Sequence, residues 1–415
     1  MSEDFVQRSI ATDAEQTAWA LEGVNYFLES MGKTIQDFDL PKFKENEIDN
    51  PSCNLRIIQD EIDVEVCQED IDGKYKLNED QRKSFEIIMD RVNMNKGGVF
   101  FIDGPGGTGK TFLYKTIIAN VRSKGMIAIA TATSGVAASL LPGGRTSHSR
   151  FKIPINATET IVYNISKQEG TAHLIRKVAL IIWDEAPMAK RVKIESVDRT
   201  MQDLLSTKEL FGGKVVVFGG DFRQVLPVIP RGTRSQTVNA SLVMSYLWEK
   251  MEKITLKINM RAKNDEEFSK FLLRVGNGTE KTTKDELIRL PESIVIEDSK
   301  NGKSEVELLN QVFPSIEQNA YSAEYMTERA ILATKNEYVD ELNDKLLDKF
   351  PGDEIIFHSF DKAIDDPHNY YQEEFLNKLM PNGLPPHKLK LKQNCPIMLL
   401  RNLDPSNGLY NGTRM

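Results

Sequence analysis

The segment VFFIDGPGGTGKT, residues 99–111, sets the architecture of the chain. Its apolar start, Val99 to Ile102, predicts a buried β-strand, and the apolar pattern at residues 112–121 predicts a helix. Between them, Gly104-x4-Gly109-Lys110-Thr111 has the spacing of a phosphate-binding loop. The alternative is a glycine-rich turn with a chance lysine, but a strand before and a helix after disfavour it. The segment therefore predicts a nucleoside triphosphate site.

Each part of this loop has an expected task. The glycines let successive backbone N–H groups point into one hollow at the positive end of the following helix. Lys110 is expected to reach the outer phosphates, and the Thr111 hydroxyl is expected to hold Mg²⁺. The residues predicted to surround the nucleotide phosphates are Gly104, Pro105, Gly106, Gly107, Thr108, Gly109, Lys110 and Thr111.

The composition is typical of a soluble globular protein, with 415 residues, 40% hydrophobic and 27% charged. This length predicts about two to four domains. Three widely spaced cysteines, Cys53, Cys67 and Cys395, predict neither a disulfide framework nor a zinc site. No apolar run approaches the ~20 residues of a membrane span, and the acidic start lacks a signal-peptide core. We expect an intracellular protein.

The net charge of −8 is unevenly distributed. Residues 1–75 contain 18 acidic and 6 basic residues, a balance of −12, which leaves +4 for the remainder. A mildly basic body is compatible with a nucleic-acid partner.

An acidic pair follows the third apolar run. Residues 178–183 predict a strand that ends at Asp184 and Glu185. Strands of a parallel sheet present ligands at their carboxyl ends, so this pair is expected beside the phosphates, with Asp184 in the Mg²⁺ shell and Glu185 polarising the attacking water. A solvated turn is the alternative, which the phosphate-binding loop disfavours.

Two more strands, residues 127–132 and 214–218, end in polar segments. Thr133 and Ser134 follow the first and could donate hydrogen bonds to a nucleic-acid backbone. Gln224 follows the second, where a γ-phosphate sensor would lie. His148 is a candidate nucleic-acid contact or metal ligand, and the lack of a second ligand at suitable spacing disfavours metal.

Two further candidates depend on their neighbours. Gln81, in a helix predicted after the N-cap Asn78, could contact an adenine edge, although alone it is more often a surface glutamine. Arg261 follows the strand-like run 254–258 and could stabilise charge on the transferred phosphoryl group. A surface arginine is the alternative.

Alternating strands and helices from residue 77 to 262 predict a three-layer α/β domain. A strand at 329–334 and a helix through Leu347 predict the start of a second α/β lobe. Residues 351–408 are turn-rich, and period-two alternation at 387–392 predicts a strand with a lysine face in a small β-barrel. Residues 18–31 predict a helix, whereas the acidic stretch 60–72 favours a solvated charged face over an exposed strand.

Several motifs occur here in one order, and together they resemble the Pif-type (petite integration frequency) DNA helicases of superfamily 1. The resemblance covers about residues 70–415. A weaker resemblance links residues 21–41 to what precedes this helicase in Helitron-transposon polyproteins. The motifs are Gly104–Thr111, Thr133–Ala138, Thr146–Ser149, Asp184–Glu185, Gly219–Gln224, Asn259–Arg261, Ile331–Asn336, Pro396–Leu403 and Gly408–Arg414.

The resemblance implies an ATP- and Mg²⁺-dependent 5′-to-3′ helicase on single-stranded or forked DNA, acting in repair, recombination or telomere maintenance. It also implies two RecA-like lobes, with an SH3-like β-barrel inserted in the second, and a nuclear or alternatively mitochondrial location. By motif position, Gln81 would contact adenine, Gln224 and Arg261 would sense the γ-phosphate, and Thr133, Ser134 and His148 would contact DNA. The expected segments are 1–73 as an acidic lead, 74–262 as the first lobe, 263–350 as the start of the second lobe, 351–408 as the barrel and 409–415 as the return.

One departure from the family pattern concerns the end of the sequence. The family continues beyond the turn that ends at Arg414 with a further DNA-contacting motif and a second arginine facing ATP, whereas this sequence stops at Met415. The expectation is a truncated helicase in which nucleotide binding survives and hydrolysis and unwinding are weakened. The alternative is an inactive transposon-derived remnant that binds ATP and DNA. A small-molecule kinase is disfavoured by Gly219–Gln224 and Asn259–Arg261.

Overall fold

The computed structural model describes residues 51–154, 165, 167, 169–283, 287–296, 303–361, 370–379, 386–401, 403, 409 and 411–415. The helix predicted at 18–31 and the transposon-like segment 21–41 lie outside these residues. The chain divides into two compact units, the first ending at Glu280 and the second beginning at Lys281.

The first unit contains a six-stranded parallel sheet, and polar segments follow several of its strands at their carboxyl ends. The strand order is β3-β2-β4-β5-β1-β6, so β5 lies between the loop-bearing strand β1 and the acidic-pair strand β4. The strands are β1 Gly98–Asp103, β2 Ile127–Ala132, β3 Arg145–Thr146, β4 Val178–Asp184, β5 Val215–Gly220 and β6 Glu252–Thr255.

The sheet is covered on both faces because its strands are apolar at successive positions. Phe101, Trp183 and Phe218 belong to one buried cluster, whereas Phe100 and Ile182 belong to the other. Period-two alternation sends neighbours on a strand to opposite faces, so continuous apolar runs are what a sheet buried on both faces requires. The predicted α/β fold, with a RecA-like parallel sheet and a phosphate-binding loop, is confirmed.

Ten helices of the first unit are described. The phosphate-binding loop enters α4 directly, and Asn78 caps α3 with a reciprocal capping box, as the sequence predicted for this N-cap. The helices are α1 Pro51–Ile62, α2 Gln68–Asp72, α3 Glu79–Asn93, α4 Lys110–Arg122, α5 Gly135–Ser139, α6 Ser147–Phe151, α7 Gly170–Lys177, α8 Arg191–Leu205, α9 Arg234–Ala240 and α10 Glu266–Gly276.

The acidic stretch 60–72 differs from the expected solvated face at one residue. It forms the end of α1 and all of α2 rather than a strand, and Glu61 is only 3% exposed. This carboxylate lies 2.6 Å from Arg150 and 3.7 Å from Arg122, both buried. A buried charge requires charged or hydrogen-bonding partners, and these two arginines provide them.

The second unit contains five described helices and a two-stranded sheet, and several of its large apolar side chains are exposed. Its helices are α11 Lys303–Val312, α12 Ile316–Asn319, α13 Ala323–Thr327, α14 Asn336–Lys349 and α15 Glu373–Leu376. The strands β7 Glu354–His358 and β8 Lys388–Lys392 pair antiparallel, which confirms the lysine-bearing strand. The backbone of residues 397–399 also pairs with that of 413–415. A closed barrel stays a prediction.

Two expectations about this half of the chain need correction. The strand predicted at 329–334 is wrong, because these residues pair with no strand in the described structure and Leu332 is 92% exposed. The sequence predicts that the second lobe begins at residue 263, whereas helix α10 belongs to the first compact unit. Its C-cap residue Asn277 accepts a 2.7 Å hydrogen bond from Arg223, which holds it there.

Among the described residues, no helix combines the length and apolar character needed to cross a bilayer.

Candidate nucleotide-binding and active site

The phosphate-binding loop is held open by two glycines in left-handed conformations. Gly107 has φ +89° and Gly109 has φ +78°, and Gly109 caps helix α4. A Cβ at Gly107 would lie 2.6 Å from Asn259 Oδ1, so both conformation and space require glycine there. Thr108 is buried, and its hydroxyl donates to the Pro105 carbonyl at 2.9 Å, closing the turn from within.

Lys110 and Thr111 form the first turn of α4, at the floor of the loop. The Lys110 ammonium donates to the carbonyl of Gly104 and, at 3.5 Å, to that of Pro105. Its charge therefore already lies inside the loop, where outer phosphates would be held. Both side chains are half-buried, as expected for groups that face a ligand from the loop floor.

The segment Asn259–Arg261 packs directly on the loop. Asn259 donates to the Gly106 carbonyl at 3.3 Å, and the Met260 N–H donates to the Gly107 carbonyl at 2.8 Å. Arg261 is exposed, and its Cβ lies 2.9 Å from where a Gly107 Cβ would be. The structure thus brings Arg261 to the loop, and its contact with the γ-phosphate stays a prediction. Sequence reasoning missed the hydrogen bond by which Asn259 holds the loop.

Asp184 and Glu185 lie at the carboxyl end of β4. Asp184 is buried, and this burial raises its pKa to about 6, while the nearby Lys110 charge opposes the rise. Its Oδ1 accepts the Glu185 N–H at 2.9 Å. Glu185 is half-buried and adopts a left-handed conformation with φ +52° and ψ +37°. Such a conformation is costly for glutamate, and strained residues concentrate at functional sites.

Gln224 belongs to a bonded network beside the loop. A Cβ at Gly106 would lie 3.1 Å from Gln224 Nε2, and this amide donates to Asp221 Oδ2 at 2.9 Å. Arg223 donates to Asp221 at 3.0 Å and to Asp103 at 3.1 Å. The network fixes the predicted γ-phosphate sensor between the ends of strands β1 and β5. Asp103 is a member that sequence reasoning missed.

Gln81 is buried and both ends of its side chain are bonded. Its Nε2 donates to the Thr108 carbonyl at 3.0 Å, and its Oε1 accepts from the Asn78 N–H at 3.1 Å. The structure therefore places Gln81 against the loop, as expected for a residue of the nucleotide site. The adenine contact stays a prediction.

The predicted DNA contacts Thr133 and Ser134 follow β2. The Thr133 hydroxyl accepts the Trp183 indole N–H at 3.0 Å, and its backbone N–H donates to the Asp184 carbonyl at 3.1 Å. The Ser134 hydroxyl accepts from the Ala137 N–H at 3.1 Å and caps α5. Each hydroxyl keeps its own proton for donation. Thr133 is thus bonded to the strand end that carries the acidic pair.

His148, in α6, is the third predicted DNA contact, and it is half-buried. Its Nε2 lies 2.6 Å from Lys193 Nζ. Burial and the lysine charge lower the pKa of His148 to about 4, so its ring is neutral near pH 7. Two residues further along the helix, Arg150 pairs with Glu61 of α1. Through this ion pair, helix α1 stabilises the segment that carries His148.

Comparison with known proteins shows which family the chain resembles in sequence. The sequence model described as "PIF1-like helicase" matches residues 76–286, and that described as "DNA helicase Pif1, 2B domain" matches residues 374–415. The chain is 28% identical over 354 residues to ATP-dependent DNA helicase PIF1 of Candida albicans, covering 81% of this chain and 34% of that protein. For the Rattus norvegicus protein of the same name, the identity is 26% over 82% of this chain and 46% of that protein.

Among solved structures, a Bacteroides Pif1 helicase in complex with ADP-AlF3 and single-stranded DNA superposes with a TM-score of 0.53 and 22% identity. The alignment covers 81% of this chain and 68% of that one, and at this identity it supports the shared fold. The chain spans about a third to a half of the length of the curated relatives it matches.

Proposed function

Because this chain belongs to the PIF1-like helicase family, we propose that it hydrolyses ATP and uses the energy to move 5′ to 3′ along single-stranded DNA. The observation that carries the proposal is the convergence of Lys110, Glu185, Gln224 and Arg261 at the carboxyl edge of one parallel sheet. This edge is where open α/β sheets bind their ligands. Unwinding of forked DNA in repair, recombination or telomere maintenance is part of the proposal and is supported by family membership.

The loop supports nucleotide binding through its backbone and one cation. N–H groups at the start of α4 hydrogen-bond phosphate oxygens, and the helix N-terminus favours their negative charge. Lys110 neutralises charge on the outer phosphates. Asn259 keeps the loop in its open shape through the Gly106 carbonyl. These groups bind and orient the triphosphate before any bond is broken.

The site also fits Mg²⁺. The Asp184 carboxylate and the Thr111 hydroxyl are hard oxygen donors, the type that Mg²⁺ prefers, and the Lys110 charge acts on Asp184. In the part of the chain that the structure describes, no group of three or more His, Cys, Asp or Glu side chains is arranged to hold a metal ion. Phosphate oxygens and water would supply the remaining ligands. The metal would offset charge on the phosphates.

Hydrolysis needs a proton acceptor and a response to the γ-phosphate. Glu185 accepts the proton of the water that attacks the γ-phosphorus, and the products are ADP and phosphate. Gln224 orients that water and senses the γ-phosphate, while Arg261 stabilises charge on the transferred group. The exposed Arg261 guanidinium makes no hydrogen bond with a described residue, so it is available for this contact.

A link between this site and DNA is supported by Thr133. This residue is a proposed phosphate contact together with Ser134 and His148, and it is bonded to Trp183 and Asp184 on the acidic-pair strand. Movement of the strand end during the ATP cycle would displace Thr133. These two hydrogen bonds would couple the nucleotide site to the bound DNA.

Strand displacement on two matched substrates tests the proposed activity and its direction. One labelled duplex carries a 5′ single-stranded tail, and the other carries a 3′ single-stranded tail of the same length. We expect ATP-dependent release from the 5′-tailed duplex only, with Glu185→Gln as the inactive control. Release from the 3′-tailed duplex would contradict the direction, and release by the control would contradict the role of Glu185 as the proton acceptor.

A further inference from the structure

Tyr114 is a fully buried residue at the nucleotide site that the proposed mechanism does not use. It lies in α4, one turn beyond Lys110, and its exposed fraction is 0%. Its neighbours on the helix, Leu113 and Ile117, are apolar core residues. Its hydroxyl finds no hydrogen-bond partner in the described structure. A buried polar atom without a partner is unusual, which points to a partner supplied during function.

The position of this hydroxyl follows from the sheet. Strands β4 and β5 pair in register with Trp183 opposite Phe218, and one residue further along each strand come Asp184 and Gly219. Trp183 and Phe218 lie on the face away from α4, so the next residues face α4 and Tyr114. A Cβ at Gly219 would lie 1.6 Å from the Tyr114 hydroxyl oxygen. The hydroxyl therefore packs against the backbone of Gly219, at the carboxyl end of β5.

Electrostatics agree with this placement. Burial raises the pKa of Tyr114, and the charges of Asp184 and Glu185 raise it further. The hydroxyl therefore stays protonated, and a hydrogen bond donated to one of these carboxylates would satisfy it. Asp184 has an acceptor left to receive it, because the bond from the Glu185 N–H uses Oδ1.

We infer that Tyr114 is a positioning residue for Asp184: its hydroxyl donates a hydrogen bond to the Asp184 carboxylate when that group is ordered by the bound nucleotide and Mg²⁺. The inference rests on the proposed ATP site. Residues that hydrogen-bond a metal ligand from behind fix its orientation, and their loss typically weakens metal affinity 10–100-fold. Tyr114 does not touch the nucleotide and acts through Asp184 alone.

Binding of a fluorescent ADP analogue, titrated with Mg²⁺, tests this role without measuring turnover. In Tyr114→Phe the Mg²⁺ concentration for half-maximal binding is expected to rise about tenfold. Binding of the analogue in EDTA is expected to stay as in the wild type. Since the hydroxyl is unpaired in the described structure, its removal leaves the apolar packing intact and the variant is expected to fold with an unchanged melting temperature.

Tyr246→Phe is the matched control. The Tyr246 hydroxyl donates to Asp198 at 2.7 Å, away from the nucleotide site, so this variant loses stability and keeps the wild-type Mg²⁺ dependence. An unchanged Mg²⁺ midpoint in Tyr114→Phe, with a normal wild-type response, would overturn the positioning role. If the wild type binds no nucleotide at any Mg²⁺ concentration, the proposed function fails, and this inference fails with it.

Discussion

The side-chain amide of Gln81 donates a 3.0 Å hydrogen bond to the backbone carbonyl of Thr108, which ties the first turn of α3 to the phosphate-binding loop. The same side chain completes the capping box of α3 by accepting from the Asn78 N–H. One buried glutamine therefore stabilises both a helix end and the loop that binds phosphate.

Removal of this side chain is expected to weaken both structures. Gln81→Ala should lower the free energy of unfolding by about 1–2 kcal/mol, the combined cost of losing the side-chain half of the capping box and leaving a buried carbonyl unpaired. Nucleotide affinity should fall with it, because the loop loses a support. Urea denaturation and ADP binding measure the two effects. A variant with wild-type stability and affinity would show that the bond to Thr108 has no energetic role.

The adenine contact predicted for Gln81 has a separate readout. Competition between ATP and GTP measures base preference, and Gln81→Ala is expected to reduce the preference for ATP as well as the overall affinity. Gln81→Glu is the matched variant, since it keeps an acceptor for Asn78 but loses the amide donor. Equal losses for ATP and GTP in both variants would leave Gln81 with the structural role alone.

Glu185 gives a prediction about catalysis. Because this carboxylate is proposed to accept the proton of the attacking water, Glu185→Gln should reduce ATP turnover by about 10²–10⁴-fold, the usual contribution of a general base. The left-handed backbone at this position is unchanged by an isosteric substitution, so ADP binding should be retained. Steady-state phosphate release and equilibrium binding separate these effects. Retained turnover would transfer the role of base to another group.

Glu61 gives a prediction about stability. Glu61→Gln removes the charge that pairs with Arg150 and Arg122, leaving two buried cations without a counter-charge. The expected loss in the free energy of unfolding is about 3–5 kcal/mol, the usual cost of breaking a buried pair from one side. Glu65→Gln, at an exposed residue of the same acidic stretch, is the control and should be near neutral. Similar denaturation midpoints for both variants would refute a structural role of the lead helix.

His148 gives a prediction about pH. Its pKa is lowered to about 4 in the folded protein from an ordinary 6.5, so between these values the unfolded chain binds more protons. Stability contributed by the neutral ring is complete above about pH 6.5 and is lost as the pH falls toward 4. Denaturation at several pH values should show this slope in the wild type and in His173→Gln, but a smaller slope in His148→Gln. Equal slopes in all three would contradict the lowered pKa.

The nucleotide loop and its strand could be predicted because the signal is local. The apolar run of β1, the spacing from Gly104 to Thr111 and the helix pattern after it are adjacent in sequence, and each matches its observed element. The sequence predicts strand β6 at residues 254–258, whereas the observed strand is Glu252–Thr255. Beyond Thr255, the backbone N–H of Leu256 still donates a hydrogen bond to the Asp103 carbonyl of β1.

What the sequence could not predict depends on residues far apart in the chain. Glu61 looked like part of a solvated acidic stretch because its partners Arg122 and Arg150 lie 61 and 89 positions away. Tyr114 looked like core because only the pairing of β4 with β5 places Gly219 beside its hydroxyl. The phenolic hydroxyl, four residues after Lys110, is a signal in the sequence that could have singled it out. The intracellular location stays a prediction.

The most direct test of the ATP-driven motor is ATP turnover by the purified chain with and without a single-stranded DNA oligonucleotide, measured beside Lys110→Ala. We predict turnover that rises with DNA in the wild type and is lost in the variant, whose fold is verified by circular dichroism. Nucleotide binding by the wild type without turnover, at any DNA concentration, would contradict the account and leave a nucleotide-binding protein that is not a motor.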